Sequence, residues 1–137
     1  MTLEATVVGA GLAGSLTAVA LARSGIATSV YEAYLDPAGT TGGFINLTAN
    51  GLGALHSVGC LEQTQAKGIV VNRLCLWSGE GRLLGRASRS GRPAGRAMNL
   101  TIMRGDLVAV LREEAAKAGA TISTTSSTTV PGCSTRP

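Results

Sequence analysis

Several glycines and one carboxylate near the amino terminus have the residue types and the spacing that hold a phosphate-linked nucleotide. The pattern Gly-x-Gly-x-x-Gly spans Gly9–Gly14 and directly follows an apolar run, and Glu32 lies eighteen residues beyond the last glycine. In a strand, turn and helix, such glycines admit a pyrophosphate, and the acidic residue accepts hydrogen bonds from ribose hydroxyls. The spacing therefore predicts the adenosine-diphosphate half of a dinucleotide site.

Each glycine of this motif has a separate expected role. Gly9 allows the tight turn out of the strand, Gly11 lets the backbone approach the pyrophosphate, and Gly14 lets the helix pack closely on the sheet. The helix that follows presents N–H groups and the positive end of its dipole to the phosphates. The candidate cofactor-binding residues of this turn are Gly9, Gly11, Leu12, Ala13 and Gly14.

The negative charge of Glu32 restricts which nucleotide this site accepts. A carboxylate repels a 2′-phosphate, so Glu32 favours FAD or NAD over NADP. These residues alone do not separate FAD from NAD, and the NAD-binding domain of a dehydrogenase is the alternative. A glycine-rich turn without any ligand is a further interpretation.

The elements that position these residues follow from the hydrophobic periodicity. Strands at 3–8 and 28–32 flank a helix at 12–23, which together form a parallel βαβ unit. A helix at 105–118 carries an apolar stripe, with Arg112, Glu113, Glu114 and Lys117 expected to face solvent. The remaining expected elements are a strand at 44–47, helices at 50–58 and 61–67, a β-hairpin of strands at 70–77 and 83–87, and a strand at 120–123 that returns to the sheet.

Length, composition and charge narrow the class of protein. A chain of 137 residues with 45% hydrophobic residues suits one ordinary domain and argues against disorder. The net charge of +4 comes largely from the arginines between Arg82 and Arg96, which have no aromatic residues among them to stack a base. A solvated loop is therefore favoured over nucleic-acid binding, and contact with a phosphate of a nicotinamide cosubstrate is the minority interpretation.

The cysteines, the single histidine and the apolar amino-terminal run indicate a cytoplasmic location and no metal site. Cys60, Cys75 and Cys133 form no Cys-x-x-Cys pair, which suits a reducing compartment. No set of ligands accompanies His56. The apolar run at 7–22 is interrupted by glycines and is short for a membrane span, so no membrane partner is expected.

The order of the later motifs resembles one family, the FAD-dependent aromatic-ring hydroxylases. These are single-component flavoprotein monooxygenases of the p-hydroxybenzoate hydroxylase type, and the resemblance covers about residues 3 to 123. It is most specific at Arg104, which begins an Arg-x-x-Leu motif. The other matching segments are the glycine motif, Tyr31-Glu32, Gly42 to Leu47, Asn50 to Leu55, Gly59 to Leu61, and Ile102 to Leu107 with Leu111.

The resemblance implies a fold, a cofactor and a reaction. The fold is α/β, an incomplete Rossmann-like FAD-binding domain with an inserted β-hairpin. The cofactor is FAD, with NAD(P)H as cosubstrate, and the reaction is the O2-dependent hydroxylation of an aromatic or polyketide-like small molecule. Arg104 is expected to contact the flavin cofactor, and the segment Gly42-Gly43-Phe44 is expected to pass near the isoalloxazine ring.

Two departures from the family pattern affect what is expected of the chain. Ala33 stands where family members often place an arginine over the adenosine. The later Asp-Gly and Gly-Asp motifs of the family are not found, so the chain is expected to be an amino-terminal portion that is inactive alone.

Residues 1–123 are assigned to the FAD-binding domain and residues 124–137 to an irregular Ser/Thr-rich tail. No residue is a convincing catalytic acid, base or nucleophile, and a non-catalytic remnant remains a further hypothesis.

Overall fold

The computed structural model describes residues 3–34, 42–88 and 99–124 of the chain. The chain divides into two compact units, residues 1–41 with 108–137, and residues 42–107. Residues 125–137 of the expected tail lie outside the described residues. In chain order the elements are β1 (Glu4–Val8), α1 (Leu12–Arg23), β2 (Ala27–Glu32), β3 (Phe44–Thr48), α2 (Ala49–Ser57), α3 (Leu61–Lys67), β4 (Ile69–Val70), β5 (Arg73–Trp77), β6 (Leu83–Ser88), β7 (Asn99–Met103), α4 (Arg104–Lys117) and β8 (Thr121–Thr124).

The first unit is built on a parallel sheet with the strand order β1-β2-β8. Alternation along β2 places Thr28, Val30 and Glu32 on its buried face. Ala18 and Val19 of α1 are fully buried, as expected where a crossover helix covers a parallel sheet. The predicted βαβ unit and the returning last strand are both confirmed, and the fold is the expected α/β, Rossmann-like type.

Helix α4 has the expected apolar stripe, but one of its glutamates does not face solvent. Leu107, Val108 and Leu111 are all buried. Glu114 is only 4% exposed, because it lies three residues beyond Leu111 on the same helical face and pairs with Arg23 of α1 at 3.0 Å. The expectation that Glu114 faces solvent is therefore wrong. Helical periodicity describes one helix at a time, so it does not show that Arg23 on α1 pairs with this carboxylate and allows its burial.

The second unit contains an antiparallel sheet with the strand order β3-β7-β4. Leu100 and Ile102 of β7 are buried, as are Leu52 and Leu55 of α2. Strand β7 was not among the expected elements, although Leu100-Thr101-Ile102 is a short run with the β-branched residues typical of strands.

The strand expected at 70–77 is two strands. Ile69–Val70 pairs with β7, whereas Arg73–Trp77 pairs with β6. The backbone N–H of Val71 donates to the carbonyl oxygen of Asn99 at 3.0 Å, and the chain then leaves the first sheet for the second. The polar pair Asn72-Arg73, which interrupts the apolar segment at this change of partner, was the available signal.

Strands β5 and β6 form the expected hairpin outside the parallel sheet. Gly81 in its turn has a φ of +79°, a conformation that favours glycine. The backbone N–H of Ser78 donates to the carbonyl oxygen of Arg82 at 2.8 Å and closes the turn. Within residues 3–34, 42–88 and 99–124, no helix is long and apolar enough to cross a membrane.

Candidate cofactor site

The glycine motif forms the turn between β1 and α1, at the carboxyl end of the first parallel strand. Gly9 has a φ of +95°, which favours glycine, and its backbone N–H donates to the carbonyl oxygen of Tyr31 at 2.7 Å. This bond ties the turn to the end of β2. Cofactors bind at the carboxyl ends of the strands in open α/β sheets.

Gly14 and Gly11 differ in how closely the rest of the chain approaches them. A Cβ atom on Gly14 would lie 1.8 Å from the carbonyl oxygen of Gly9, so the close approach of α1 to the turn requires a glycine there. A Cβ atom on Gly11 would meet no atom of the chain within 4 Å, and its backbone is extended with a φ of −74°. The fold itself therefore does not require glycine at position 11, and the open space beside it is where a pyrophosphate would approach the backbone.

The amino end of α1 is arranged to receive a negatively charged group. Gly11 is the N-cap residue and has no side chain to bond the helix, and the first turn contains no acidic residue. The first N–H groups of a helix have no acceptor within that helix. The backbone at Leu12 and Ala13 therefore fits the phosphates of a dinucleotide.

A hydroxyl group inside the helix holds the turn in position. The Ser15 hydroxyl donates to the carbonyl oxygen of Ala10 at 3.0 Å, and both residues are buried. Sequence reasoning did not single out Ser15. Its position immediately after the third glycine was the available signal.

Glu32 lies at the end of β2 beside the glycine turn. It is 7% exposed, and its carboxylate accepts the backbone N–H of Ala10 at 2.6 Å and that of Tyr34 at 3.0 Å. An ionised carboxylate has about four acceptor positions, so two such bonds leave capacity for the hydroxyls of a ribose. The structure thus brings Glu32 and the glycine motif together, as the sequence spacing predicted.

The surroundings of Glu32 favour its ionised form. Burial acts to raise the pKa of this carboxyl, but the backbone N–H bonds from Tyr34 and Ala10, with a further one from Ala33 and the positive charge of Arg112, lower it below its ordinary value. Glu32 is therefore an anion at neutral pH, which is the form that accepts ribose hydroxyls.

Arg104 belongs to the second unit and begins α4. Its backbone N–H donates to the carbonyl oxygen of Gly43 at 3.2 Å. A Cβ atom on Gly42 would lie 3.5 Å from the Cβ and Cδ atoms of Arg104, so the aliphatic part of this side chain lies beside Gly42. The structure brings Arg104 to the Gly42-Gly43 segment, the same two features that the family resemblance associates with the flavin.

The comparisons with known proteins agree with this arrangement. The FAD binding domain family matches residues 2–131. A kynurenine 3-monooxygenase from Stenotrophomonas maltophilia is 34% identical over 122 residues, which are 85% of this chain and 26% of that enzyme.

Solved structures of two oxygenases share the fold. The tetrameric form of 2-methyl-3-hydroxypyridine-5-carboxylic acid oxygenase is 24% identical with a TM-score of 0.78, over 90% of this chain and 31% of that one. The p-nitrophenol 4-monooxygenase from Pseudomonas putida is 20% identical with a TM-score of 0.80, over 90% and 32%.

The chain spans about a quarter of the length of the curated relative and about a third of each solved structure. The family match covers most of the chain, and the glycine turn and Glu32 have the arrangement that an adenosine-diphosphate group needs. The chain belongs to the FAD binding domain family.

Proposed function

We propose that this chain is the FAD-binding portion of a flavin-dependent monooxygenase that uses NAD(P)H and O2 to hydroxylate an aromatic or polyketide-like small molecule. The names of the relatives support this reaction, since a kynurenine 3-monooxygenase and a p-nitrophenol 4-monooxygenase are among them. The hydroxylation is proposed for a protein of the relatives' length, because the chain spans about a quarter of the curated relative.

The residues divide between the two ends of the cofactor. Backbone N–H groups of the turn and of the first helical residues hold the pyrophosphate, and the Glu32 carboxylate accepts the ribose hydroxyls. Arg104 contacts the flavin portion, where its guanidinium offers several donors in a rigid fork. When bound, FAD supplies the redox chemistry, and the protein orients the cofactor. The residues proposed to bind FAD are Gly9, Gly11, Leu12, Ala13, Gly14, Glu32 and Arg104.

The open space beside Gly11 is the observation that carries this proposal. At Gly14 the chain itself would collide with a larger side chain, but at Gly11 it would not. This open glycine caps the amino end of α1, where the first helical N–H groups have no acceptor within the helix, so its position favours a group that approaches the backbone there. Glu32 is hydrogen-bonded to Ala10, one residue from that space.

FAD titration of the purified chain tests the proposal. We expect flavin fluorescence to change on binding, and Gly11→Ala to weaken FAD binding at least tenfold without lowering the melting temperature. Gly53→Ala is the matched control, because a Cβ atom on Gly53 also meets no atom within 4 Å but lies on α2 in the second unit. It should retain the wild-type affinity for FAD.

The same titration with NAD decides between the two dinucleotides. Binding of NAD in the absence of FAD binding would support the dehydrogenase alternative and overturn the proposal. If Gly11→Ala binds FAD as tightly as the wild-type chain does, the pyrophosphate is not held at this turn.

The proposed location of the protein is the cytoplasm. Cys60 and Cys75 form no disulfide with each other, and Cys60 is buried in the second unit. Cysteines outside disulfides are typical of proteins in a reducing compartment. Persistence of both thiols in protein isolated from its own cells, measured by alkylation and mass spectrometry, is the expected result.

A further inference from the structure

The hydroxyl of Ser15 bonds the glycine turn rather than the helix that contains it. Ser15 is 1% exposed, and its backbone N–H makes the ordinary helical bond to the carbonyl oxygen of Gly11 at 2.9 Å. A serine hydroxyl inside a helix usually bonds the carbonyl three or four residues earlier. Here the hydroxyl donates at 3.0 Å to the carbonyl oxygen of Ala10, which precedes the N-cap residue of α1.

The backbone of Ala10 is held on both sides of its Cα atom. Its N–H donates to the Glu32 carboxylate at 2.6 Å, and its carbonyl accepts the Ser15 hydroxyl. The N–H belongs to the peptide unit shared with Gly9, and the carbonyl belongs to the peptide unit shared with Gly11. Glu32 at the end of β2 and Ser15 on α1 therefore orient two successive peptide units of the turn.

The peptide unit between Ala10 and Gly11 connects the Ser15 bond to the cofactor site. This peptide bond is trans, so its carbonyl and its N–H point in opposite directions. Because the Ala10 carbonyl is directed toward the buried Ser15 hydroxyl, the Gly11 N–H is directed away from it. A Cβ atom on Gly11 would meet no atom within 4 Å, so a phosphate oxygen can approach the backbone at this residue.

The N–H groups of the two preceding residues are bonded to β2. The Gly9 N–H donates to the carbonyl oxygen of Tyr31 at 2.7 Å, and the Ala10 N–H donates to Glu32. The Gly11 N–H is the next donor along the chain and adjoins the helical N–H groups at the amino end of α1. Its direction depends on the peptide unit that Ser15 holds.

We propose that Ser15 is a positioning residue for the pyrophosphate of FAD: by holding the Ala10 carbonyl, it directs the Gly11 N–H toward a phosphate oxygen before the cofactor binds. This inference rests on the proposed function, because the ligand of the Gly11 N–H is the FAD pyrophosphate. A donor already held in its bound direction loses less conformational freedom on binding, which raises affinity. Ser15 acts through the peptide unit and does not touch the cofactor.

ADP and adenosine are the probes that test this role, because they share the base and the ribose and differ in the pyrophosphate. Ser15→Ala removes the hydroxyl with little change in volume, so the Ala10 carbonyl loses its donor and the peptide unit can rotate. We expect this variant to bind ADP about fivefold more weakly, the effect of one neutral hydrogen bond, and to bind adenosine as the wild-type chain does. NMR titrations of the full chain measure both affinities.

Thr64→Val is the matched control. Thr64 is 0% exposed on α3, and its hydroxyl donates to the carbonyl oxygen of Cys60 at 2.7 Å, so it is also a buried helical hydroxyl bonded to the backbone. Both variants should lower the melting temperature, because each loses one buried hydrogen bond. Thr64 lies in the second unit, so Thr64→Val should keep the wild-type affinity for ADP.

The outcomes separate a positioning role from a purely structural one. An unchanged ADP affinity in folded Ser15→Ala overturns the proposal, because the hydroxyl then only satisfies a buried carbonyl. Equal losses for ADP and adenosine, or an equal loss of ADP affinity in Thr64→Val, also overturn it, since both would reflect general loosening of the chain.

FAD titration of the same samples separates this inference from the proposed function. A wild-type chain that binds neither FAD nor ADP overturns the proposed function and the role of Ser15 together. FAD binding that is equally tight in the wild-type chain and in Ser15→Ala overturns only the role of Ser15. ADP binding without FAD binding, weakened in Ser15→Ala, overturns the proposed function and supports the positioning of a pyrophosphate donor by Ser15.

Discussion

Glu32 joins the glycine turn to the end of β2, and the same carboxylate is the proposed ligand of the ribose. Its bond to the Ala10 N–H is 2.6 Å long, in the range of a charge-assisted hydrogen bond. The turn is therefore organised by the same residue that the cofactor needs. Binding of the cofactor does not require Glu32 to leave the turn, because its remaining acceptor positions are sufficient.

The stability of the chain should depend on the ionisation of Glu32. Because the pKa of Glu32 is lowered in the folded chain from its ordinary value of 4.5, the contribution of its charge to stability is fully present above that value and is lost as the pH falls through the folded value. Glu32→Gln should lower the free energy of unfolding by about 1.5–3 kcal/mol at pH 7.

Urea unfolding from pH 7 to pH 3 measures this effect. The difference between Glu32→Gln and the wild-type chain should shrink at the acid end. Glu62→Gln, at an exposed position on α3, is the control and should follow the wild-type curve. A constant difference at every pH would show that the charge of Glu32 does not stabilise the turn.

Gly14 and Gly11 should respond differently to the same substitution. Gly14→Ala places a Cβ atom 1.8 Å from a backbone oxygen that cannot move aside easily, so it should cost about 2–3 kcal/mol of unfolding free energy. Gly11→Ala meets no atom within 4 Å and should change stability by less than about 0.5 kcal/mol. Thermal unfolding of both variants without cofactor provides the measurement, and equal losses would contradict the separate roles.

Substitution of Arg104 should weaken the binding of FAD without weakening the binding of ADP. Its proposed contact is with the flavin portion, whereas the glycine turn and Glu32 contact the ADP portion. Arg104→Ala is therefore expected to weaken FAD binding about tenfold, the effect of losing a charged hydrogen bond, and to leave ADP binding unchanged. Isothermal titration with each ligand measures both affinities. An equal loss for ADP would place the effect of Arg104 outside the flavin portion.

At the residue scale, the sequence predicted which groups meet but not how they are bonded. The spacing between Gly14 and Glu32 predicted their proximity because a βαβ unit has little freedom in its connections. It did not predict that the Glu32 carboxylate binds the turn itself, or that Ser15 does so as well. Those bonds depend on the rotation of each side chain, which spacing does not define.

At the level of elements, a charged contact joins the two helices of the first unit. Arg23 ends α1, and its guanidinium lies 3.0 Å from the carboxylate of Glu114 on α4. The Glu114 side chain is 6% exposed, and Lys117 reaches the same carboxylate at 3.1 Å. Hydrogen bonds to Glu113 and Glu114 raise the pKa of Lys117, so this cation persists at neutral pH.

Two adjacent glutamates on α4 should differ in their contribution to stability. Glu114→Gln removes the charge from a nearly buried site with two cationic partners and should cost about 1–3 kcal/mol. Glu113→Gln removes a charge whose side chain is 63% exposed and should cost less than about 0.5 kcal/mol. Urea unfolding of both variants measures the difference. Similar losses would show that the contact with Arg23 contributes no more than a surface pair.

The sequence predicted best the helices with a clear hydrophobic periodicity and the strands that pair with one neighbouring strand in the sequence. Helices α1 and α3 have the bounds that periodicity indicated, and the hairpin of β5 and β6 followed from its glycine-containing turn. Strand β7 was missed because its neighbours β3 and β4 are distant in sequence, and a short apolar run does not show its pairing. The same difficulty explains the division of the strand expected at 70–77.

At the scale of the whole molecule, exposed apolar side chains are unevenly distributed. In the hairpin of the second unit, Leu76, Trp77 and Leu84 are 58%, 59% and 57% exposed. A two-stranded hairpin is marginally stable by itself, and exposed large apolar residues promote association. The chain in isolation should therefore bind hydrophobic dyes and associate at high concentration through this hairpin.

Charged substitutions on the hairpin should reduce this association without unfolding the chain. Leu76→Lys, alone or with Leu84→Lys, should lower dye fluorescence and raise the concentration at which light scattering increases. Because both side chains are largely exposed, the free energy of unfolding should change by less than about 0.5 kcal/mol. Leu52→Lys is the contrasting variant, since Leu52 is 4% exposed and a buried lysine should unfold the second unit. If Leu76→Lys leaves dye binding and scattering unchanged while the chain remains folded, the association surface lies elsewhere than on the hairpin.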